Sequence, residues 1–122
     1  MRFRKEIKKD DLIRFTLRST PADEDSATFE ITVGMFEVGT PEEVLNFVGK
    51  IKQVILGQNA TTGPARYRIM RRMLRGDALA AFNAAVQNVG VETNANYQVA
   101  VNSLIEHVFL SRALAIQKRV MR

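Results

Sequence analysis

The stretch from Arg66 to Phe82, RYRIMRRMLRGDALAAF, constrains the chain more than any other, because it reads as two helices meeting at one corner. Before Gly76, Tyr67, Met70, Met73 and Leu74 fall at helical spacing and predict a buried stripe. Arg68, Arg71, Arg72 and Arg75 recur at i, i+3, i+4 and i+7, which predicts one shared, solvated, positive face. Gly76 can adopt the backbone conformation that ends a helix, and Asp77 can cap the next one. Beyond the corner, Leu79, Phe82 and Val86 extend an apolar stripe among Ala78, Ala80, Ala81, Ala84 and Ala85. This is the pattern of a packing and docking module.

Thr40-Pro41-Glu42-Glu43 carries the clearest start signal: a capping threonine, proline at the first helical position and a glutamate that completes a capping box. Val44, Phe47, Val48, Ile51, Val54 and Ile55 then form an apolar face up to Gly57, with Leu45 and Leu56 partly off it. Pro64 opens the arginine helix. A third helix runs from Asp77 to Val89, and a fourth is capped by Thr93 or Asn94 with Tyr97, Val101, Leu104, Ile105 and Val108 on one face. Ser111 is expected to cap a fifth helix carrying Ala113, Leu114, Ala115, Ile116 and Val120. Upstream, Leu12–Arg18 reads as a strand, and in Thr28–Val33 the residues Phe29, Ile31 and Val33 alternate with polar ones. The acidic stretch 19–26 loops between them, giving an antiparallel hairpin against a helical body. The expected fold is therefore mainly α, an N-terminal β-hairpin followed by a compact bundle of about five helices. The organisation is a single domain over 1–122: a basic arm (1–11), the hairpin (12–35) and the bundle (40–122).

Length and charge bound the function. A chain of 122 residues with 46% hydrophobic and 25% charged residues supports one core. No apolar run is expected to reach the roughly 20 residues that cross a bilayer, and the charged start does not read as a secretory signal. With no cysteine, disulfides and thiolate metal sites are excluded, and the lone sequon at Asn59 is read as chance. The expected location is cytoplasmic. A net charge of +5 makes a polyanion partner plausible, concentrated in residues 1–18, Arg66–Arg75 and Arg112–Arg122. Catalytic constellations do not assemble from this sequence. His107 is the single histidine, Asp10-Asp11 and Glu42-Glu43 point in different directions, and no phosphate-binding or calcium loop is present. The expectation is a non-enzyme with no cofactor, metal or small-molecule substrate, and no membrane partner.

Two segments carry a resemblance. Met35-Phe36-Glu37-Val38-Gly39-Thr40-Pro41-Glu42-Glu43 through Val48 resembles the entry to the capsid region of retrotransposon Gag proteins. Leu74-Arg75-Gly76-Asp77-Ala78-Leu79-Ala80-Ala81-Phe82 resembles that family's Leu-x-Gly-x-Ala-x-x-Trp corner, with Phe82 in the aromatic place. Later segments around Glu106–Phe109, Arg112–Leu114 and Gln117–Arg119 resemble Gag-like proteins of algal and diatom retroelements. The resemblance implies an amino-terminal capsid domain that self-associates into rings or shells, a homo-oligomer packaging RNA. Phe36, Phe47, Leu74, Leu79 and Phe82 are expected in the core. Arg68, Arg71, Arg72 and Arg75 are the candidates for non-specific contact with RNA or another polyanion, without base readout. Leu45 and Leu56, with Ala81 and Ala85, are the candidates for self-association, unless the alanines pack within the monomer. Two alternatives stand beside this reading: a basic nucleic-acid-binding module, and a domesticated Gag-like adaptor using a groove between the hairpin and the first helix.

Overall fold

The computed structural model describes residues 11–120, with side chains through residue 116; the expected basic arm, residues 1–10 above all, lies outside the described residues. Two strands, β1 (Leu12–Arg18) and β2 (Thr28–Gly34), precede four helices: α1 (Pro41–Gly57), α2 (Gly63–Met73), α3 (Gly76–Val89) and α4 (Asn94–Val120).

The strands pair antiparallel with Ile13 opposite Val33, Phe15 opposite Ile31 and Leu17 opposite Phe29. Period-two alternation puts these six on one face. Phe15, Leu17 and Val33 are buried against the bundle, whereas Phe29 at the loop end is half exposed. The opposite face is polar and carries the Arg14–Glu30 pair at 3.6 Å. The acidic loop is closed by Ser19 N–H donating to Ala27 O at 2.8 Å and by turns around Asp23.

At the start of α1 the predicted capping box forms: Glu43 N–H donates to Thr40 Oγ1 at 3.1 Å, and Thr40 N–H donates to Glu43 Oε1 at 2.9 Å. Val44, Phe47, Ile51, Val54 and Ile55 are buried. The helix ends with Asn59, not a glycine, in the left-handed region (φ 55°). Gly57 serves a different need, since a Cβ there would stand 2.6 Å from Leu17 Cβ. The missing side chain is what lets the hairpin sit on α1.

The corner differs from its expected form. α2 ends at Met73, and Leu74 and Arg75 run extended before Gly76 turns the chain with φ +51°. Asp77 is not the cap of α3; Arg75 occupies that position with no side-chain cap bond, and Asp77 lies in the first turn. The extended residues are held from outside. Phe36 N–H donates to Met73 O at 2.8 Å, Arg75 N–H to Phe36 O at 2.9 Å and Ala78 N–H to Glu37 O at 3.3 Å. A parallel bridge between Phe36 and Leu74 thus replaces the helix-terminating glycine expected from the sequence.

The helix count is four rather than about five, because α4 continues through Ser111. Nothing between 94 and 120 breaks a helix, since the stretch has neither glycine nor proline. What changes near 109 is the phase of the apolar stripe. Tyr97, Ala100, Val101, Leu104 and Val108 are buried. Their register continues as Ser111, Arg112 and Ala115. The apolar residues Phe109, Leu110, Leu114 and Ile116 fall on the other side and are exposed. The expectation that no stretch is long and apolar enough to cross a bilayer is corrected by the same helix: Asn94–Ile116 spans 23 residues with a window of mean hydropathy 1.4.

The core lies between the hairpin and the four helices. Its centre is an aromatic trio: Tyr67 packs 5.9 Å from Phe82 and edge-on to Tyr97 at 5.5 Å, while Phe36 meets Phe47 at 5.4 Å. Of the residues expected inside, Phe36, Phe47, Leu74 and Phe82 are buried, and Leu79 is partly buried against them.

Candidate functional site

α2 is placed by its ends. Thr62 Oγ1 accepts from Ala65 N–H at 3.4 Å. At Gly63 a Cβ would come 2.2 Å from Glu92 O, so the helix start abuts the α3–α4 loop. With Tyr67, Met70 and Met73 turned inward, Arg68 and Arg72 are exposed and Arg71 is half-buried.

The four arginines do not form one free face. Arg75 lies beyond the helix in the extended corner and pairs with Asp11. Arg71 stands 3.7 Å from Glu92 and 5.4 Å from the centroid of the Tyr67 ring. Arg72 lies over the Phe15 ring of β1 at 5.7 Å. Arg68 is exposed and makes no ion pair among the described residues. Of these four, Arg68 and Arg72 are therefore the ones not paired with a carboxylate among the described residues. Arg71 and Arg75 are available to a phosphate only by exchanging partners, which is an inexpensive step for solvent-exposed pairs.

Beneath them, burial raises the Tyr67 phenol above its ordinary range; Glu92 adds to the effect and Arg71 opposes it. The Tyr67 hydroxyl is enclosed without a hydrogen-bond partner among the described residues. Burial also pushes Tyr97 up to about 12, against the pull of Arg66. Both rings belong to the core and offer no stacking platform for a base.

The self-association candidates are split in the same way. Leu45 and Leu56 on α1 are 49% and 59% exposed. Ala85 is buried and Ala81 half-buried against the core. Both alanines line a shallow trough of about 570 Å³ between α3 and α4, together with Ala80, Ala84 and Val99.

One contact was not legible beforehand. His107 Nε2 lies 2.8 Å from Asp77 Oδ2, joining the first turn of α3 to α4. The pair borders a cleft of about 250 Å³ shared with Glu37, Thr40, Ser111 and Arg112. The sequence spaces the two thirty positions apart, and only the α3–α4 packing brings them together. Among the described residues there is no group of three histidine, aspartate or glutamate side chains placed to hold a metal ion. Comparisons with protein-family models, curated proteins and solved structures returned no match.

Proposed function

We propose that this chain is a Gag capsid-like structural domain that self-associates and packages RNA through non-specific phosphate contacts. The observation that carries the reading is the Phe36–Leu74 bridge. The two segments that resemble the capsid entry and the capsid corner lie far apart in sequence, yet they share two backbone hydrogen bonds, with a third from Phe36 to the adjoining Met73, and bury Phe36, Leu74 and Phe82 in one core. That supports treating them as parts of one module rather than as two chance matches. Arg68 and Arg72 supply charge without base readout, so RNA binding is sequence-tolerant and weakens steeply with salt.

Light-scattering mass is the test, measured across protein concentration at low and high salt, with and without RNA, followed by electron microscopy of any large fraction. Rings or shells are expected, promoted by RNA and dispersed by salt. Arg68→Glu with Arg72→Glu is expected to reduce RNA binding more than the same reversal at Arg71 and Arg75. A protein that stays monomeric and ignores RNA overturns the proposal.

A second reading has its own observation. An open groove of about 310 Å³ runs between the hairpin and α1, lined by Leu12, Val33, Phe36, Phe47, Asn46 and Lys50. A peptide-binding adaptor would use it. Isothermal titration with candidate peptides separates the two, because an adaptor remains monomeric when it binds.

A further inference from the structure

A small pocket of about 180 Å³ opens between α1, α2 and α4. Its walls are apolar: Val48, Ile55 and Leu56 come from α1, and Val101 from α4. Ile55 and Val101 are buried, Val48 is half-buried and Leu56 is exposed, so the wall runs from the core to the surface. Helical register gathers the α1 side, because Val48, Lys52, Ile55 and Leu56 recur at i, i+4, i+7 and i+8.

Three hydrogen-bond donors meet this wall. Lys52 comes from α1, Arg66 from α2 and Tyr97 from α4, and no carboxylate lines the pocket. Neither cation makes an ion pair among the described residues. Arg66 is anchored by its Nε, which donates to Ala60 O at 3.1 Å and leaves the terminal guanidinium nitrogens to a ligand. Tyr97 is only 7% exposed, and its hydroxyl has no hydrogen-bond partner among the described residues. Unlike the Tyr67 hydroxyl it is not sealed off, so a molecule in the pocket can reach it. Burial raises the Tyr97 phenol and Arg66 pulls it back, which puts the guanidinium and the hydroxyl within reach of each other. Gln98, the remaining polar lining residue, directs its amide donor to Asn102 at 3.1 Å.

Two cations and a buried hydroxyl beside an apolar wall select an anion with an apolar body. We propose that this pocket binds a short aliphatic carboxylate, its chain against Ile55, Leu56 and Val101 and its carboxylate among Lys52, Arg66 and Tyr97. The volume lies below the roughly 300–1,000 Å³ of sites for drug-sized ligands, which limits the occupant to a single short chain. A peptide terminus is the poorer occupant. The lining residues are all helical, so their backbone groups bond within α1, α2 and α4 and offer no partner to a peptide backbone. Residues 1–10 of the chain itself are disfavoured by charge, since five bases stand there against two acids. The proposal goes beyond the capsid-like reading and does not depend on it.

The test is titration of the full chain with sodium hexanoate, followed by backbone amide and methyl NMR shifts. Saturable shifts are expected at Lys52, Ile55, Leu56, Arg66, Tyr97 and Val101, with binding weakened as salt rises. Hexanamide keeps the chain and loses the charge, and is expected to bind about tenfold more weakly. Acetate keeps the charge and loses most of the chain, and is expected to be weaker by at least about tenfold. Lys52→Gln is expected to reduce hexanoate affinity severalfold with an unchanged melting temperature, because the side chain is exposed. Arg68→Glu with Arg72→Glu is expected to leave that affinity intact, which separates the pocket from the proposed RNA face. Hexanamide or acetate binding as tightly as hexanoate overturns the proposal, as does an absence of saturable shifts up to about 20 mM hexanoate. So does N-acetyl-alanyl-leucine binding more tightly than hexanoate at the same residues, since a peptide terminus would then be the occupant.

Discussion

Two segments of this protein are rich in bases and poor in acids, α2 and the far half of α4, and the fold treats them in opposite ways. In α2 the apolar stripe and the core are in phase, so Tyr67, Met70 and Met73 point inward and the arginines lie over the protein's own surface. There Glu92, the Tyr67 ring, the Phe15 ring and Asp11 engage three of the four cations. In α4 beyond Val108 the stripe is out of phase with the core, and Phe109, Leu110, Leu114 and Ile116 lie exposed. A count of arginines and lysines, four in α2 and three in α4 beyond Val108, hardly separates the two segments. The neighbours that each phase brings within reach do.

The comparison can be broken most forcefully in the core. Phe82→Ala, under the α2 stripe, is expected to lower stability by about 3–5 kcal/mol, whereas Leu114→Ala is expected to change it by no more than about 0.5 kcal/mol. Urea unfolding of the two variants checks this, and a large loss for Leu114→Ala would mean that the far half of α4 packs on something. Next comes the seat of α2. Gly63→Ala forces a methyl against Glu92 O and is expected to cost about 1–3 kcal/mol by shifting the helix start. The same change at Gly49, where a Cβ meets nothing within 4 Å, is expected to be neutral or slightly stabilising.

A third test uses pH. Tyr97 ionises near 10 in the unfolded chain and near 12 in the folded one. Below pH 10 both states hold the proton and the phenol contributes no pH dependence. Between 10 and 12 only the unfolded state releases it, so stability falls as pH rises. Thermal melts across this window should show the decline, and Tyr97→Phe should flatten part of it. The smallest effect concerns the cations that are already paired. Arg75→Ala removes an exposed pair with Asp11 and is expected to cost less than about 1 kcal/mol, with the loss shrinking at high salt. A loss much larger than that would show the corner to depend on the side chain rather than on its backbone bonds.

Local chemistry made much of the fold readable. Thr40 and Glu43 announce a helix start because both halves of their hydrogen-bond exchange lie within three residues. The alternation in Thr28–Val33 fixes which side of β2 is apolar, and the pairing with Leu12–Arg18 follows. The errors arise where a local pattern has two physical causes. A break in apolar periodicity near Ser111 reads as a helix end, yet an unbroken backbone with a change of phase leaves the same trace. Gly76 reads as a terminator, yet the turn of α2 is stopped by Phe36, whose distance in sequence leaves no periodic mark. The candidate site was legible as four arginines and not as three engaged ones beside Arg68, because Glu92, Phe15 and Asp11 reach them only through tertiary packing.

The backbone clasp between Phe36 and the corner also sets an order of events in time. Its hydrogen bonds join Phe36 and Glu37 to Met73, Arg75 and Ala78, with all of α1 and α2 enclosed between its two ends. Local structure such as the hairpin and α1 can form early, but the clasp cannot close until α2 has brought Met73 back to Phe36, a loop-closure step with an entropic toll that neither helix pays alone. Once closed, it makes the hairpin exit, α1, α2 and the start of α3 a single opening unit. The amides of Phe36 and Arg75 are then expected to exchange with solvent together and slowly, while those at the far end of α4 exchange first, one turn at a time.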